Sequence, residues 1–499
     1  MKIFKFILGK VLGGLVAASA AALLVCLWRL QMLPGPIFTA AGVLLALLTA
    51  LVLVLTWSGR GKVRMSIGIV LAVLLIAVLT AGTVYVWQAL DTIDNITAGN
   101  TETVHVGIYV RNDDTRSFDD SVAASYQYGI LQTIDRESTD GALQQLNEKL
   151  NAQVACREYL RLPELVDALL ENEVDAIILN QAFLDMMKEM PGYEEKLAQI
   201  REAFLQKVEV QIDPPSSNST EATTPGGNGQ DPAVTPTNNA FTIYISGIDT
   251  AGKVSTRSRS DVNILAVVNP DTRQILLVST PRDYYVPLSI SHGIPDKLTH
   301  AGNYGINVSM DTLGMLYDID IDYYFKVNFS GFKKIVDALD GVTVYSDYTF
   351  SDVVNGESYS FHKGANKLDG TRALAFCRIR DAFKDGDHQR GKNQMAVIKA
   401  VIDKAMSPTL LTNYTKILNA VEGSFAMSVP MDVIGGLVSK QLEDGGTWNV
   451  VNYSVSGSGG YETTYSAAEE LWVMYPDQKT VDHAKQLIRD VIDGKVVTP

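Results

Sequence analysis

The sequence predicts an α/β protein: a mixed β-sheet flanked by helices, preceded by a small α/β accessory domain and by three transmembrane helices. Three observations predict it. Three apolar runs fill the first 90 residues, and short β-rich runs then alternate with helical patterns. An abrupt change of composition over residues 211–240 divides that alternation in two. The 499 residues suit two or three domains, and the formal net charge of -14 is unevenly spread. Residues 1–90 hold seven Lys or Arg and no acidic residue, so the remainder carries -21. An acidic body of that size repels a phosphodiester backbone, which argues against general nucleic-acid binding. A simple soluble enzyme and a disordered chain are excluded by the apolar runs.

Those runs, 11–28, 37–57 and 67–87, each approach the ~20 residues that a helix needs to cross the hydrocarbon core. Ala18-Ser19-Ala20 resembles a leader cleavage site, but the apolar run continues beyond it and two further runs follow, which favours an anchor. Lys2, Lys5 and Lys10 precede the first span, Arg60, Lys62 and Arg64 lie between the second and third, and residues 31–36 carry no charge. The positive-inside rule then puts the N-terminus in the cytoplasm and residues 91–499 outside. Cys26 falls in a span, and Cys156 and Cys377 fall in different domains, so no disulfide framework is expected.

After the anchor (1–90), runs at 104–110, 154–160, 174–180 and 208–212 read as strands, and a helix starting at Pro163 places Leu165, Val166, Leu169 and Leu170 on one face. This is the accessory domain, 100–212. Pro, Gly, Ser, Thr and Asn make up 20 of the 30 residues from 211 to 240, a composition that cannot bury a core, so 213–240 reads as a linker. A fragment beginning near Phe241 is expected to be self-sufficient. In 241–499, strands are expected at 241–246, 262–268, 275–279, 321–327, 342–345 and 448–455. Helices are expected at 308–317, 332–339 and 481–492, with helical patterns dominating from 346 to 437.

The segment Gly247-Ile248-Asp249-Thr250-Ala251-Gly252-Lys253-Val254 nearly matches a phosphate-cradling loop, but Val254 stands where Mg²⁺ needs a hydroxyl. The stronger signal is a set of Arg and Asp residues at predicted strand ends: Asp249, Arg257, Arg259 and Asp261, then Arg282 and Asp283, then Arg378, Arg380, Asp387 and Arg390. A surface laced with ion pairs is the plain reading of any one of them. Against it, Asp249 ends one strand and Asp261 starts the next, so the loop can fold both toward one hard divalent cation. Several guanidinium groups together can neutralise a pyrophosphate. Arg378 and Arg380 can both reach one ligand if the helix from Leu368 ends near Phe376.

On these residues the chain resembles the LytR-CpsA-Psr family, over residues 241 to about 495. The motifs are Gly247-Ile248-Asp249, Arg259-Ser260-Asp261, Pro281-Arg282-Asp283, residues 297–303, Leu339-Asp340-Gly341-Val342, Leu368-Asp369-Gly370 through Arg378-Ile379-Arg380, and Arg390-Gly391-Lys392-Asn393-Gln394. The resemblance implies a membrane-anchored, Mg²⁺-dependent phosphotransferase. Such an enzyme moves a phosphate-linked glycan polymer, teichoic acid or capsular polysaccharide, from a polyprenyl pyrophosphate carrier to peptidoglycan. It implies Asp249 and Asp261 as metal ligands. Arg259, Arg282, Arg378 and Arg380 would stabilise the reaction, and these four with Arg257, Arg390 and Gln394 would surround the pyrophosphate. Asn393 and Thr250-Ala251 stand where many members have Arg, which bears on acceptor contacts. The lipid tail would need an apolar tunnel, expected between the sheet and the helices holding Val308 and Phe332. Asp283 is a candidate base, against its reading as a structural partner of Arg282. Two rivals are a hydrolase of the lipid pyrophosphate and a non-catalytic glycan-binding sensor or scaffold.

Overall fold

The computed structural model describes residues 2–57, 62–97, 101–212, 240–248, 254–384, 386–407, 421 and 423–498. The sequence-derived linker at 213–239, the loop carrying Asp249, and Ser58 to Gly61 therefore lie outside the described residues. Helices α1 (Lys2–Leu30), α2 (Gly35–Trp57) and α3 (Lys62–Thr97) pack against one another. Each contains a segment of 23 to 26 residues apolar enough to cross a membrane. Large side chains such as Leu44, Leu47, Val54 and Val78 stay exposed, as expected for helices whose solvent is lipid. The close approach is made at small residues: a Cβ on Gly13 would meet Leu53 at 2.9 Å, and one on Gly68 would meet Leu55 at 2.9 Å.

The accessory domain comprises β1 (Thr101–Arg111), α4 (Asp120–Ser125), β2 (Gln127–Leu131), α5 (Arg136–Leu150), β3 (Ala155–Tyr159), α6 (Leu162–Leu170), β4 (Ala176–Asn180), α7 (Gln181–Met187), α8 (Tyr193–Leu197) and β5 (Ile200–Gln211). Its sheet order is β3-β2-β4-β1-β5, parallel among the first three and antiparallel through β1. α6 forms because Pro163 presets its first turn, and it buries Leu165, Val166 and Leu169. At the edge, β3 exposes Arg157 and Glu158, charges that discourage further strand pairing.

The second domain continues with β6 (Phe241–Ile248), β7 (Ser260–Asn269), β8 (Gln274–Thr280), β9 (Tyr285–Pro287), β10 (Pro295–Lys297), α9 (Ala301–Tyr304), α10 (Ile306–Tyr317), β11 (Tyr323–Asn328), α11 (Phe329–Ala338), β12 (Val342–Ser346), β13 (Phe350–Val354), β14 (Glu357–Phe361), β15 (Gly364–Leu368), α12 (Gly370–Arg378), α13 (Gly386–Ala405) and β16 (Phe425–Met427). A helix at Met431–Asp444, strands β17 (Asn449–Ser454), β18 (Gly457–Thr463) and β19 (Glu470–Pro476), and a last helix at Gln478–Ile492 complete it. The central sheet runs β16-β11-β6-β7-β8-β17, with parallel pairing at β11/β6 and β8/β17 and antiparallel pairing elsewhere.

Alternation along these strands divides the core. Tyr244, Leu265, Val267, Leu276 and Val278 face α10 and the last helix, whereas Ile264, Ala266, Ile275 and Leu277 face α13 and the helix Met431–Asp444. This is the mixed sheet covered on both faces that the sequence predicts. The region expected to be mainly helical holds a surprise. β12 pairs with β15, and β13 with β14, through an Asn355-Gly356 turn with φ of 52 and 82°.

Candidate functional site

The ends of four strands and three helices meet at one edge of the central sheet. Register brings Gly247, Val262 and Val327 side by side, because Gly247 pairs with both Val262 and Val327. From there a cleft of about 420 Å³ runs between the sheet and α11, α12 and α13. Its polar lining includes Asp261, Arg282, Asn328, Arg378, Arg380, Arg390 and Gln394; its walls include Ile245, Phe325, Phe332, Leu374, Ile398 and Val401. On α13 the lining residues Arg390, Gln394, Ile398 and Ile402 recur every four positions, so one helical face passes from charged to apolar. At 1.5 Å per residue that gradient is roughly 18 Å long. The expected tunnel wall at Phe332 is there. The helix carrying Val308 is not, because α10 packs with the opposite face of the sheet.

Arg378 and Arg380 reach the same cleft because α12 stops at Arg378 and Ile379 is extended, with ψ of 124°. The Arg378 guanidinium sits 4.8 Å from the centre of the Phe329 ring. Arg282 donates from one terminal nitrogen to Asp261 at 2.9 Å and from Nε to Asp283 at 3.4 Å. Burial opposes its charge, but Asp261 and Asp283 raise its pKa further above the ordinary value. Asp283 is buried, and its other oxygen lies 3.4 Å from Lys297 Nζ. With a cation at each oxygen it is an ion-paired structural residue, not an available base.

Two of the sequence-predicted phosphate ligands are engaged elsewhere. Arg257 does not line the cleft. It is buried at the junction of the two domains, 3.1 Å from Glu102 and 3.6 Å from Asp135 of the accessory domain. The reason is β1, whose backbone pairs with the Thr256 segment and carries Glu102 inward. The other Glu102 oxygen accepts from Lys326 Nζ at 2.6 Å. Burial raises the Glu102 pKa, yet Lys326 and Arg257 together hold it below the usual carboxylate range. Burial pushes Asp135 up to about 6 against the opposing pull of Ser138, Asn180 and Arg257. Arg259 likewise is absent from the cleft lining and pairs with Glu189 of the accessory domain.

These contacts join the domains. One hydrophobic core contains Phe183, Met186 and Met190 from the first together with Leu288, Ala301, Tyr304 and Leu471 from the second. A fragment starting near Phe241 would expose Leu288, Ala301, Tyr304 and Leu471, which this shared core buries, so its expected self-sufficiency has a physical obstacle.

Asp249 and the side chain of Asp387 lie outside the described residues. Among those described, no group of three or more His, Cys, Asp or Glu gathers as a metal site. Asp261 nevertheless fits a hard cation of the Mg²⁺ kind, which takes one or two carboxylates and keeps water and substrate oxygens for its other positions. Asp261 also lines a smaller adjoining pocket with Ser279 and Arg390, and one of its oxygens accepts from Arg282.

The chain's residues 207–487 match the model of the LytR_cpsA_psr family, more than half of its length. The chain belongs to the LytR_cpsA_psr family. Among curated relatives, 195 residues are 36% identical to the Polyisoprenyl-teichoic acid--peptidoglycan teichoic acid transferase TagU of Enterococcus faecalis, covering 38% of this chain and 62% of that one. The protein of the same name from Bacillus subtilis is 34% identical over 193 residues, 38% of this chain and 61% of its own. The chain thus spans about six-tenths of the length of these relatives. A crystal structure of B. subtilis TagV aligns over 53% of this chain and all of that one, at 25% identity and a TM-score of 0.44.

The family motif at residues 297–303 contributes more to folding than to the cleft. His300 and Asn303 are fully buried, and His300 Nδ1 lies 2.6 Å from Asp296. Sequence reasoning missed Glu102, Glu189 and Lys326. Lys326 carried a usable signal, a charge in the middle of an apolar strand. Glu102 and Glu189 carried none.

Proposed function

We propose that the protein transfers a phosphate-linked glycan from a polyprenyl pyrophosphate carrier to peptidoglycan; its curated relatives are named polyisoprenyl-teichoic acid--peptidoglycan teichoic acid transferases. One observation carries the reading. A single cleft changes along its length from four arginines and an aspartate to continuous apolar walls, which suits an amphiphile with a doubly charged head. The three apolar helices would hold the protein in the membrane that contains such a lipid, with the N-terminus cytoplasmic and residues 91–499 outside.

In this reading Arg282, Arg378, Arg380 and Arg390 bind the two phosphates, and Gln394 adds a hydrogen bond. Asp261, with Asp249, would hold Mg²⁺, which when bound supplies further neutralisation of phosphate charge. An acceptor hydroxyl oxygen forms a bond to the phosphorus bearing the glycan. The bond from that phosphorus to the bridging oxygen breaks, polyprenyl phosphate leaves with the electron pair, and the hydroxyl proton passes to solvent. Charge grows on the equatorial and leaving oxygens, where arginines fixed in advance stabilise it most. Phe325, Phe332 and Ile398 exclude water around the first carbons of the tail.

Mass spectrometry of lipid co-purified with the full chain tests the assignment. A polyprenyl pyrophosphate bearing saccharide is expected, depleted in Arg378→Ala. Recovery of membrane phospholipid alone, equally in both proteins, would reject it.

A further inference from the structure

The ion chain that starts in the cleft does not stay within the second domain. From Asp261 it runs through Arg282 and Asp283 to Lys297, and from Lys297 to Glu189, 2.8 Å from its ammonium. Glu189 uses its other oxygen for Arg259. We infer that Glu189, on the accessory domain, is a positioning residue for the phosphate-binding end of the cleft, an inference that rests on the function proposed above.

Three observations carry it. Glu189 follows α7 in a turn whose neighbours Met186, Met187 and Met190 are at most 2% exposed, so its backbone is fixed by the shared core. Lys297 keeps 7% of its side-chain surface, and Glu189 at 2.8 Å is nearer to it than Asp283 at 3.4 Å. Without Glu189 the ammonium has to move onto Asp283 and compete there with Arg282, which shifts the guanidinium that meets Asp261. Arg259 immediately precedes β7, two residues from Asp261, so its pairing also bears on that strand end. Burial raises the Glu189 pKa, but Lys297, Arg259 and His300 hold it low enough to keep the charge. Docking of the domains is a separate matter, already served by the buried Glu102 cluster.

The test uses the full chain in detergent with a polyprenyl-pyrophosphate-linked saccharide and soluble peptidoglycan oligomers. Glu189→Gln should lower kcat about tenfold or more, because small misplacements of binding groups cost that much. Its affinity for inorganic pyrophosphate should fall as well, since Arg282 is one of the phosphate-binding groups that Glu189 holds in place through Lys297 and Asp283. Glu189→Asp should recover part of kcat. A purely docking role predicts instead a lower thermal midpoint with kcat of the folded protein intact, and that result overturns the inference. If Glu189→Gln does not fold, Glu189→Asp, which keeps the charge but shortens its reach to Lys297, takes its place; wild-type kcat and wild-type pyrophosphate affinity in that protein overturn the inference equally. Asp261→Asn separates the two levels. If it is inactive while Glu189→Gln is fully active, only this inference fails; if both transfer at the wild-type rate, the proposed function fails first.

Discussion

Replacing Glu102 by alanine should loosen the accessory domain from its neighbour. Its side chain is 3% exposed and accepts from Lys326 at 2.6 Å and Arg257 at 3.1 Å, both nearly as buried. Removing one partner of a buried ion pair costs roughly 3–5 kcal/mol, mostly from the charge left behind. Here two cations are left, but Arg257 keeps Asp135 at 3.6 Å and Lys326 keeps the Thr256 carbonyl at 3.1 Å, so the lower end, about 3 kcal/mol, is the expected loss. At 1.4 kcal/mol per tenfold, that weakens docking about 100-fold. Thermal unfolding and limited proteolysis of the full chain should both report it, with a midpoint several degrees lower. Replacing Glu102 and Lys326 together by methionine should restore most of the loss, since Arg257 then stays with Asp135 and no buried charge is orphaned. Acid should act in the same direction as alanine. The folded-state pKa of Glu102 is depressed, so its contribution is present above its ordinary value of 4.5 and is lost as pH falls through the lower folded value. A Glu102→Ala protein within about 0.5 kcal/mol of wild type, the range of ordinary surface substitutions, would refute this account of the domain junction.

Three further outcomes follow from the same geometry. Ile398→Trp, in the apolar reach of the cleft, should reduce donor binding at least tenfold while leaving inorganic pyrophosphate affinity within twofold, as measured by calorimetry. Cys377, whose thiol burial pushes up to about 12, should react with maleimide at pH 8 far more slowly than the exposed Cys156, and equal rates would contradict the packing around α12. In intact cells, with Cys156 replaced by serine, a Ser58→Cys protein should be protected from an impermeant thiol reagent and a Ser217→Cys protein should react; the reverse pattern would overturn the assigned sidedness.

The parts of the fold that obey local rules were legible. Strands 262–268 and 275–279 and the helix at Pro163 combine unbroken apolar patterns with clear turn or cap residues, and each appears in place. Asn355-Gly356 was an available hairpin signal that the apparent helical periodicity around it obscured. β18, with Gly457, Gly459 and Gly460, has almost no intrinsic strand preference. It exists because β19 lays Trp472 and Tyr475 over those glycines, where a Cβ would meet the rings at 2.9 and 2.4 Å. For the site, motif spacing brought Asp261, Arg282, Arg378, Arg380, Arg390 and Gln394 to one cleft. It misassigned Arg257, because which of several nearby arginines turns inward depends on a carboxylate from another domain. No local pattern encodes that choice, and Glu189 escaped notice for the same reason.

The central claim is that this cleft transfers a glycan phosphate from a lipid carrier to peptidoglycan. Its most direct measurement is single-turnover transfer from a radiolabelled polyprenyl-pyrophosphate saccharide to peptidoglycan oligomers by the full chain. The account predicts a phosphodiester-linked product, with Arg378→Ala and Asp261→Asn each folded and slower by roughly 100-fold or more, the usual scale for removing one charge-stabilising group. No transfer by the wild-type protein, or undiminished transfer by both variants, would contradict it.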